Sequence, residues 1–406
     1  MDANFVAPSQ AGDLAAGSGP NLENLLRTAV GRGASDVHLK VDQPPIIRYD
    51  GELHALEGWD PLDSEQLEAI LEQIGGSAPA RLASFYDTGE LDTAYQQADL
   101  PRFRVNAFRQ RGDISFAMRV IPKDVPSFDS LALPQGIRDL AQAHRGLILV
   151  TGATGAGKTT TLAAMIDHIN RTRRQHIVSI EDPIEILHDD ANCIVNQREV
   201  GLDTESFNQA LRRALRQDPD VILIGEMRDS ETAETALQAA ESGHLVLSTM
   251  HTVDAAETVG RLIEFFPAVK HVQIRSILAG VLKGVVSQRL LPRAAGGRVA
   301  AFEVMVANNR IADLIRENKP EEIPDAIGDG DFFHMQTLTS SLIRLVLDGE
   351  VDRETAANAA PNAHDFEIAL AYALKARDAG TTAYTEDAPE ELPLLRLAEA
   401  DGPGSR

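Results

Sequence analysis

Several features are scarce in this 406-residue chain, and each absence excludes a class of protein. Cys193 is the single cysteine, which excludes an intramolecular disulfide and a four-cysteine zinc site, and indicates a reducing compartment such as the cytoplasm. No run approaches the roughly 18 apolar residues of a membrane span, and the N-terminus lacks the pattern of a signal peptide. The sequence therefore predicts that the protein reaches a membrane only through a partner.

Basic residues are also scarce relative to acidic ones. The chain has 38 lysines and arginines against 61 aspartates and glutamates, which gives a net charge of -23. This charge opposes nonspecific attraction to nucleic acid and to anionic lipid, so no nucleic acid is expected as a partner. A local basic groove is compatible with the total, and a DNA translocase therefore stays as a lesser alternative.

Composition and periodicity divide the chain into five segments. Residues 1–20 lack periodicity and predict a disordered leader. A helical pattern followed by short alternating strands predicts an α+β domain over 21–122, and prolines mark a linker over 123–134. Strands alternating with helical patterns over 135–350 predict an α/β domain with a mostly parallel, doubly wound sheet and C-terminal helices. Residues 351–406 carry one short helical stretch and an acidic tail, which is predicted to be largely disordered.

A glycine-rich motif, 152–159, follows an apolar strand and precedes an apolar-periodic helix, and it fits G-x-x-x-x-G-K-[ST] at every fixed position. Inward-facing backbone N–H groups and the helix N-terminus favour phosphate there. Lys158 is expected to reach the β and γ phosphates and the Thr159 hydroxyl to ligate Mg²⁺, so the predicted cofactors are ATP and Mg²⁺. The predicted nucleotide-binding residues are Gly152, Thr154, Gly155, Ala156, Gly157, Lys158, Thr159 and Thr160.

Two further apolar strands are followed by carboxylates. The strand 221–224 leads to Glu226, at the end of a strand where doubly wound sheets place their ligands. An aspartate commonly precedes this glutamate, but Gly225 stands here, so Glu226 is expected to act on the metal through water. Glu185 follows the strand 176–180 and is a second candidate base. The sequence leaves open which of the two accepts the proton.

A third strand is flanked by His244 and His251. A histidine in this setting is often a structural hydrogen-bonding residue. The strand follows Glu226 in chain order, so a sensor of the γ-phosphate is an equal alternative.

Together these four motifs resemble the boxes of the secretion ATPase superfamily, the hexameric motors of type II secretion and type IV pili. The Walker A, Asp, Walker B and His boxes of that family correspond to 152–159, 180–185, 221–229 and 243–252. The resemblance implies a RecA-like P-loop domain, Glu185 as the Asp-box base, Glu226 as the Walker B glutamate, and His244 and His251 as the His-box pair.

The first domain is similar to the PAS-like domain of the same family at 34–39 and 103–106. Arginines of that domain reach the nucleotide in the family, and Arg104 and Arg119 occupy the matching places. Arginine fingers contribute roughly 10³–10⁵ in rate where they are known. A surface arginine on a strand is the lesser alternative for each.

Within the superfamily, 310–317 and 335–338 resemble sequences of the PilT-type retraction ATPases. The residues alone predict an apolar helix face at Ile311, Leu314 and Ile315. Extension and secretion ATPases usually carry paired C-x-x-C motifs and extra N-terminal domains, which this sequence does not show.

The resemblance implies a homohexamer that drives type IV pilus retraction from the inner face of the cytoplasmic membrane by acting on an inner-membrane platform protein, with a paralogous pilus ATPase as an optional partner. A pilus-extension or type II secretion ATPase is the alternative. A non-hydrolysing regulatory partner is disfavoured by the intact Lys158, Glu185 and Glu226.

Overall fold

The computed structural model describes residues 21–49, 51–76, 79–121 and 125–378. The predicted leader, residues 122–124 of the predicted domain boundary and linker, and residues 379–406 of the predicted tail lie outside these ranges. Two β-sheets, each with its own helices and core, divide the described chain into two domains.

The first domain is the predicted α+β unit, a six-stranded antiparallel sheet with the strand order β3-β2-β1-β6-β5-β4. Helix α1 begins where the Asn21 side chain accepts the backbone N–H groups of Glu23 and Asn24, and it buries leucines at helical spacing. The strands are β1 (Asp36–Lys40), β2 (Ile46–Tyr49), β3 (Glu52–Ala55), β4 (Glu90–Tyr95), β5 (Phe103–Gln110) and β6 (Asp113–Val120). The helices are α1 (Leu22–Gly31), α2 (Ser64–Gly75) and α3 (Pro79–Thr88).

The second domain confirms the predicted doubly wound α/β sheet, with seven strands in the order β13-β12-β7-β11-β10-β8-β9. All neighbouring strands are parallel except β12 and β13. The strands are β7 (Gly146–Thr151), β8 (His176–Glu181), β9 (Ile194–Glu199), β10 (Val221–Ile224), β11 (Leu245–Met250), β12 (Leu282–Pro292) and β13 (Arg298–Val306). Its helices are α4 (Gln135–Ala141), α5 (Lys158–Thr172), α6 (Phe207–Ala214), α7 (Ser230–Glu241), α8 (Ala255–Glu264), α9 (His271–Val281), α10 (Asn309–Glu317), α11 (Ile323–Gly328) and α12 (Leu338–Leu347).

Alternate residues of the parallel strands enter two separate cores, one on each face of the sheet. Leu147 and Leu149 pack into one core, and Ile148 and Val150 pack into the other. Because both faces are covered, the strands are apolar throughout, which is why the sequence shows them as continuous hydrophobic runs. Because these strands are parallel, the C-terminal ends of β7, β8, β10 and β11 lie side by side. We call this line of strand ends the C-terminal edge of the sheet, or simply its edge.

The prediction for the tail is wrong over 351–378, where the chain forms two packed helices, α13 (Arg353–Ala359) and α14 (Ala363–Asp378). Phe366, Leu370 and Ala373 recur at helical spacing and are buried in a small core shared with Leu342 of α12. The apolar stripe of α14 therefore finds a partner surface inside the same domain, which the acidic composition of the region concealed.

The second half of the predicted linker is packed onto the second domain. Phe128 and Leu133 are buried there, and the Phe128 ring stacks on His168 with centroids 4.8 Å apart. This part of the predicted linker therefore belongs to the second domain.

The single cysteine lies in the interior. Cys193 is 3% exposed, and its thiol donates to the carbonyl oxygen of Arg173 at 3.2 Å. Burial raises the pKa of this thiol. Among the described residues, no helix combines the length and hydrophobicity needed to cross a bilayer.

Candidate nucleotide-binding and catalytic site

The glycine-rich loop joins the end of β7 to the start of α5. Gly152, Gly155 and Gly157 all have positive φ, at 141°, 79° and 87°. A Cβ atom on Gly152 would lie 2.5 Å from the carbonyl oxygen of Gln288, so this position also lacks room for a side chain. The loop thus takes a conformation that requires glycine, and it places the N-terminus of α5 at the edge of the sheet.

Lys158 points back into this loop. Its Nζ donates to the carbonyl oxygens of Gly152 and Ala153 at 2.7 and 3.0 Å, and the residue is buried. Burial lowers the pKa of the ammonium group, while the negative charges of Glu226 and Glu185 act in the opposite direction. The lysine and both predicted carboxylates therefore share one electrostatic site.

Gln288 of β12 holds the glycine-rich loop through hydrogen bonds, and the sequence analysis missed this residue. Its Nε2 donates to the carbonyl oxygen of Ala156 at 2.5 Å, and its Oε1 accepts the hydroxyl of Thr161 at 2.9 Å. The side chain is 2% exposed. A buried glutamine with both ends bonded to the loop and to α5 fixes the two relative to each other. Gln288 lies more than 120 residues along the chain from the glycine-rich motif, and no local signal links them.

Glu226 lies between two nitrogen donors at the end of β10. Nη2 of Arg228 is 2.6 Å from one carboxylate oxygen, and Nε2 of His251 is 3.1 Å from the other. Burial alone would raise the pKa of Glu226, but Arg228 and His251 together lower it. Glu226 is therefore held ionised at the edge where the glycine-rich loop also lies.

Gly225, at the position where an aspartate commonly precedes the glutamate, packs closely against the neighbouring strand β8. The backbone N–H of Gly225 donates to the carbonyl oxygen of Ile180 at 2.8 Å, and a Cβ atom on Gly225 would lie 3.2 Å from that same oxygen. A side chain here would press on the neighbouring strand. The hydroxyl of Thr249 donates to the Gly225 carbonyl oxygen at 2.7 Å and fixes the turn from the other side.

Glu185 lies on the exposed loop that follows β8, with its charge near Lys158. Behind it, the Glu181 carboxylate is buried and accepts hydrogen bonds from Ser179 and Gln197. Burial raises the pKa of Glu181, and the charges of Glu185 and Glu199 raise it further. The loop thus carries a cluster of carboxylates, of which Glu185 faces solvent.

The structure separates the two predicted histidines. His251 follows the C-terminal end of β11 and contacts Glu226, whereas His244 precedes β11 and lies beside the N-terminal end of β7. Seven residues of extended chain span about 23 Å. Nδ1 of His244 is instead within hydrogen-bonding distance of Ser242 and the Ala239 carbonyl oxygen, at 2.9 and 3.0 Å. His244 therefore lies at the end of β11 opposite Glu226, away from the glycine-rich loop of its own chain, and its role at the nucleotide stays a prediction.

Arg104 and Arg119 are direct cross-strand partners on an exposed face of the first domain. Nε of Arg119 donates to Asp36 at 2.9 Å, and among the described residues Arg104 makes no ion pair. Nε of Arg48 approaches the same aspartate at 3.8 Å. Within one chain, no hydrogen bond or ion pair joins either predicted arginine to the described glycine-rich loop. Arg104, Arg119, Asp36 and Arg48 are successive cross-strand neighbours on this face, and Asp36 contacts two of the three arginines.

A buried polar network lies behind the glycine-rich loop. Thr151, the last residue of β7, donates its hydroxyl to Ser287 at 3.0 Å, and Ser287 is hydrogen-bonded to Glu303 of β13. Oε1 of Glu303 accepts the backbone N–H of Ala255 at 2.8 Å, at the start of α8. Burial raises the pKa of Glu303 to about 7. The network connects the phosphate-binding strand with the loop that carries His251.

The residues present fit Mg²⁺ in part. The hydroxyl of Thr159 is half-buried in the first turn of α5 and makes no hydrogen bond to the described residues, so it is free to ligate a metal. Glu226 is already bonded to Arg228 and His251, which fits contact with a metal through water. Among the described residues, no three carboxylate, histidine or cysteine side chains cluster as a metal cage. Mg²⁺ at nucleotide sites typically binds one or two protein ligands and takes its other ligands from phosphate and water oxygens.

Comparison with known proteins gives a consistent result over most of the chain. The model of the family described as "Type II/IV secretion system protein" matches residues 19–349. The type IV pilus retraction ATPase PilT of Pseudomonas aeruginosa is 43% identical over 346 residues, covering 85% of this chain and 100% of the relative. A twitching motility protein of Neisseria gonorrhoeae is 42% identical, covering 86% and 92%. The crystal structure of the pilus retraction motor PilT with bound ADP matches with a TM-score of 0.79 and covers 85% of this chain and 98% of that one.

Proposed function

Because this chain belongs to the type II/IV secretion system protein family, we propose that its ATPase activity drives the retraction of type IV pili. The observation that carries this proposal is the convergence of the glycine-rich loop, Lys158, Glu185 and Glu226 at one edge of the sheet. Similarity to the named retraction ATPase extends over 100% of that relative's length, which favours retraction over the extension and secretion alternatives.

The site supports the following division of roles. Lys158 binds the β and γ phosphates after leaving the carbonyl oxygens of Gly152 and Ala153. Thr159 ligates Mg²⁺, which when bound neutralises charge on the phosphate oxygens. Glu226 is held by Arg228 and His251, so we assign it to orienting water, and we assign the solvent-facing Glu185 near Lys158 as the general base. His251 holds Glu226 and reports on the adjacent phosphate.

Arg104 and Arg119 complete the site by neutralising charge that develops on the transferred phosphoryl group. On this face three arginines and one aspartate form a cross-strand row, which has a net positive charge that suits an anion. These arginines act either on the nucleotide of their own chain after a rotation of the first domain, or on that of a neighbouring subunit.

We propose that six copies form a ring on the cytoplasmic face of the inner membrane. Hydrolysis changes the angle between the two domains of each subunit about the chain before Phe128, and the ring turns or displaces a membrane platform protein. Membrane contact is then made through that partner. A paralogous pilus ATPase is an optional second partner.

The decisive experiment is deletion of the gene in its host, followed by imaging of surface pili and an assay of twitching motility. Retraction predicts abundant pili without twitching, restored by the wild-type gene and not by Lys158→Ala. Cells without surface pili would establish an extension motor instead. Cells with unchanged pili and unchanged twitching would favour a function in secretion or DNA transport. Lys375→Ala, which removes an exposed lysine of α14, is the matched control and should restore motility.

A further inference from the structure

One ion pair joins the two domains across a buried contact. Arg102, just before β5 in the first domain, places Nη2 2.5 Å from Oε2 of Glu199, the last residue of β9 in the second domain. The side chains are 13% and 2% exposed. An ion pair this deeply buried is sensitive to the loss of either partner, because the remaining charge has no solvent to stabilise it.

The same carboxylate oxygen also holds the loop that carries the candidate base. Oε2 of Glu199 accepts the backbone N–H of Ile184 at 3.1 Å, and Ile184 is the residue before Glu185. The charge of Glu199 also acts on Glu181 in this loop. Among the described residues, Arg102 is the cation that forms an ion pair with Glu199. The first domain therefore supplies the positive charge that balances a carboxylate cluster in the second.

A second contact from the first domain lies beside this pair. Nη2 of Arg81, on α3, donates to the carbonyl oxygen of Val200 at 3.1 Å. A Cβ atom on Gly201 would lie 1.8 Å from the same nitrogen, so the turn after β9 has no room for a side chain while Arg81 is bound. Both contacts join the first domain to the end of β9, so a rigid-body displacement that carried both arginines away from β9 would break them together.

We propose that the Arg102–Glu199 pair transmits the position of the first domain to the placement of Glu185. When the first domain is docked on the second, Arg102 neutralises Glu199. Glu199 then accepts the Ile184 N–H and so fixes the loop that carries Glu185. When the domain rotates away, the uncompensated carboxylate draws in water and the loop loses this fixed position. ATP hydrolysis is then favoured at the domain angle in which Arg102 contacts Glu199. The inference rests on the proposed motor function and assigns Glu199 and Arg102 as positioning residues.

The test compares Arg102→Gln, Glu199→Gln and the double variant in the full chain, with steady-state ATPase assays of kcat and KM. Arg102→Gln should lower kcat by roughly fivefold or more, the size typical of coupling between sites, and leave the KM for ATP unchanged because the glycine-rich loop is untouched. The double variant leaves no unpaired buried charge and keeps an acceptor for the Ile184 N–H, so it should recover most of the lost kcat. Arg109→Gln, on the strand β5 that follows Arg102 but bonded to Gly112 within its own domain, should behave as wild type.

Limited proteolysis supplies a readout that does not depend on turnover. In the wild type, a non-hydrolysable ATP analogue should change the cleavage rate of the chain before Phe128, and in Arg102→Gln this difference should disappear. Equal kcat in Arg102→Gln and wild type, or additive losses in the double variant, would overturn the coupling. If the purified wild type hydrolyses no ATP, the proposed function fails, and the proteolysis comparison alone then decides whether Arg102 couples nucleotide binding to the domains.

Discussion

At the scale of single residues, Glu303 combines nearly complete burial with hydrogen bonds that reach the phosphate-binding strand. Burial raises its pKa from 4.5 to about 7, and the only charges acting on it that we identify among the described residues are Asp254, which raises the pKa, and Arg289, which lowers it. The folded protein therefore holds a proton on Glu303 in a pH range where the unfolded chain releases it. Its contribution to stability is fully present below about pH 4.5 and is lost as the pH rises through about 7.

We expect Glu303→Gln to remove this pH dependence, because glutamine is neutral at every pH. Between pH 5 and pH 8 the wild type should lose about 2.5 kcal/mol of stability through this group, a loss the variant lacks. Thermal unfolding at several pH values measures the difference in Tm between the two proteins. Glu241→Gln, at an exposed position, is the control and should follow the wild type. Parallel Tm curves for wild type and Glu303→Gln would contradict the assignment.

Gln288 gives a second prediction at this scale. Gln288→Ala removes both hydrogen bonds that fix the glycine-rich loop to α5, at Ala156 and Thr161. Two such bonds contribute about 1–3 kcal/mol, so the dissociation constant of a fluorescent ATP analogue should rise about tenfold.

The matched control for this prediction is Gln142→Ala, which changes an exposed glutamine. Thermal unfolding of Gln288→Ala in the absence of nucleotide separates loop loosening from a general loss of fold. Unchanged affinity in a stably folded Gln288→Ala would show that the loop holds its shape without this side chain.

At the scale of elements, most strands of both sheets could be predicted from the sequence because local patterns determine them. Val221–Ile224 is buried on both faces and therefore appears as an uninterrupted apolar run. The helix α10 was predicted from Ile311, Leu314 and Ile315, and all three are buried. One short helical stretch was predicted after residue 350, but the two packed helices were not, because the apolar stripe of α14 is recognised as a core surface only from the face of α12 that it covers.

The helix α14 offers a matched pair of substitutions for stability. Leu370 is 1% exposed and Ile368 on the same helix is 41% exposed. Leu370→Ala should lower the free energy of unfolding by about 2–5 kcal/mol, whereas Ile368→Ala should cost much less because its side chain leaves no comparable cavity. Denaturant unfolding of both variants measures the contrast. Equal losses would indicate that α14 is not packed on α12 as described.

At the scale of the whole molecule, the sequence could not predict which distant residues meet. The order of the four boxes predicted that Glu226 and His251 follow strands of one parallel sheet, and the structure places both residues after strands that run parallel to β7. Chain order does not distinguish the two ends of β11, and so it does not separate His244 from His251. The contact of Arg102 with Glu199 spans 97 positions and two domains, and it depends on a docking geometry that no local pattern encodes.

Net charge gives a prediction at this scale. Each chain has a net charge of -23, so six copies in a ring repel one another. Dissolved salt weakens this repulsion, because the Debye length is about 10 Å at an ionic strength of 0.1 M. Raising the ionic strength from about 50 to 300 mM should therefore increase the fraction of assembled rings. Sedimentation velocity at fixed protein and nucleotide concentration measures that fraction. A fall with added salt would instead indicate an interface held by ion pairs.

The burial of Cys193 has a practical consequence for optical experiments. The chain has one thiol, and that thiol is enclosed between the backbone oxygens of Ile169 and Arg173. To a maleimide dye the folded protein is therefore close to cysteine-free without any substitution. Cysteines placed at the exposed Glu57 and Glu241, one in each domain, would accept a donor and an acceptor fluorophore, so that the domain angle of a single subunit could be followed by energy transfer during turnover.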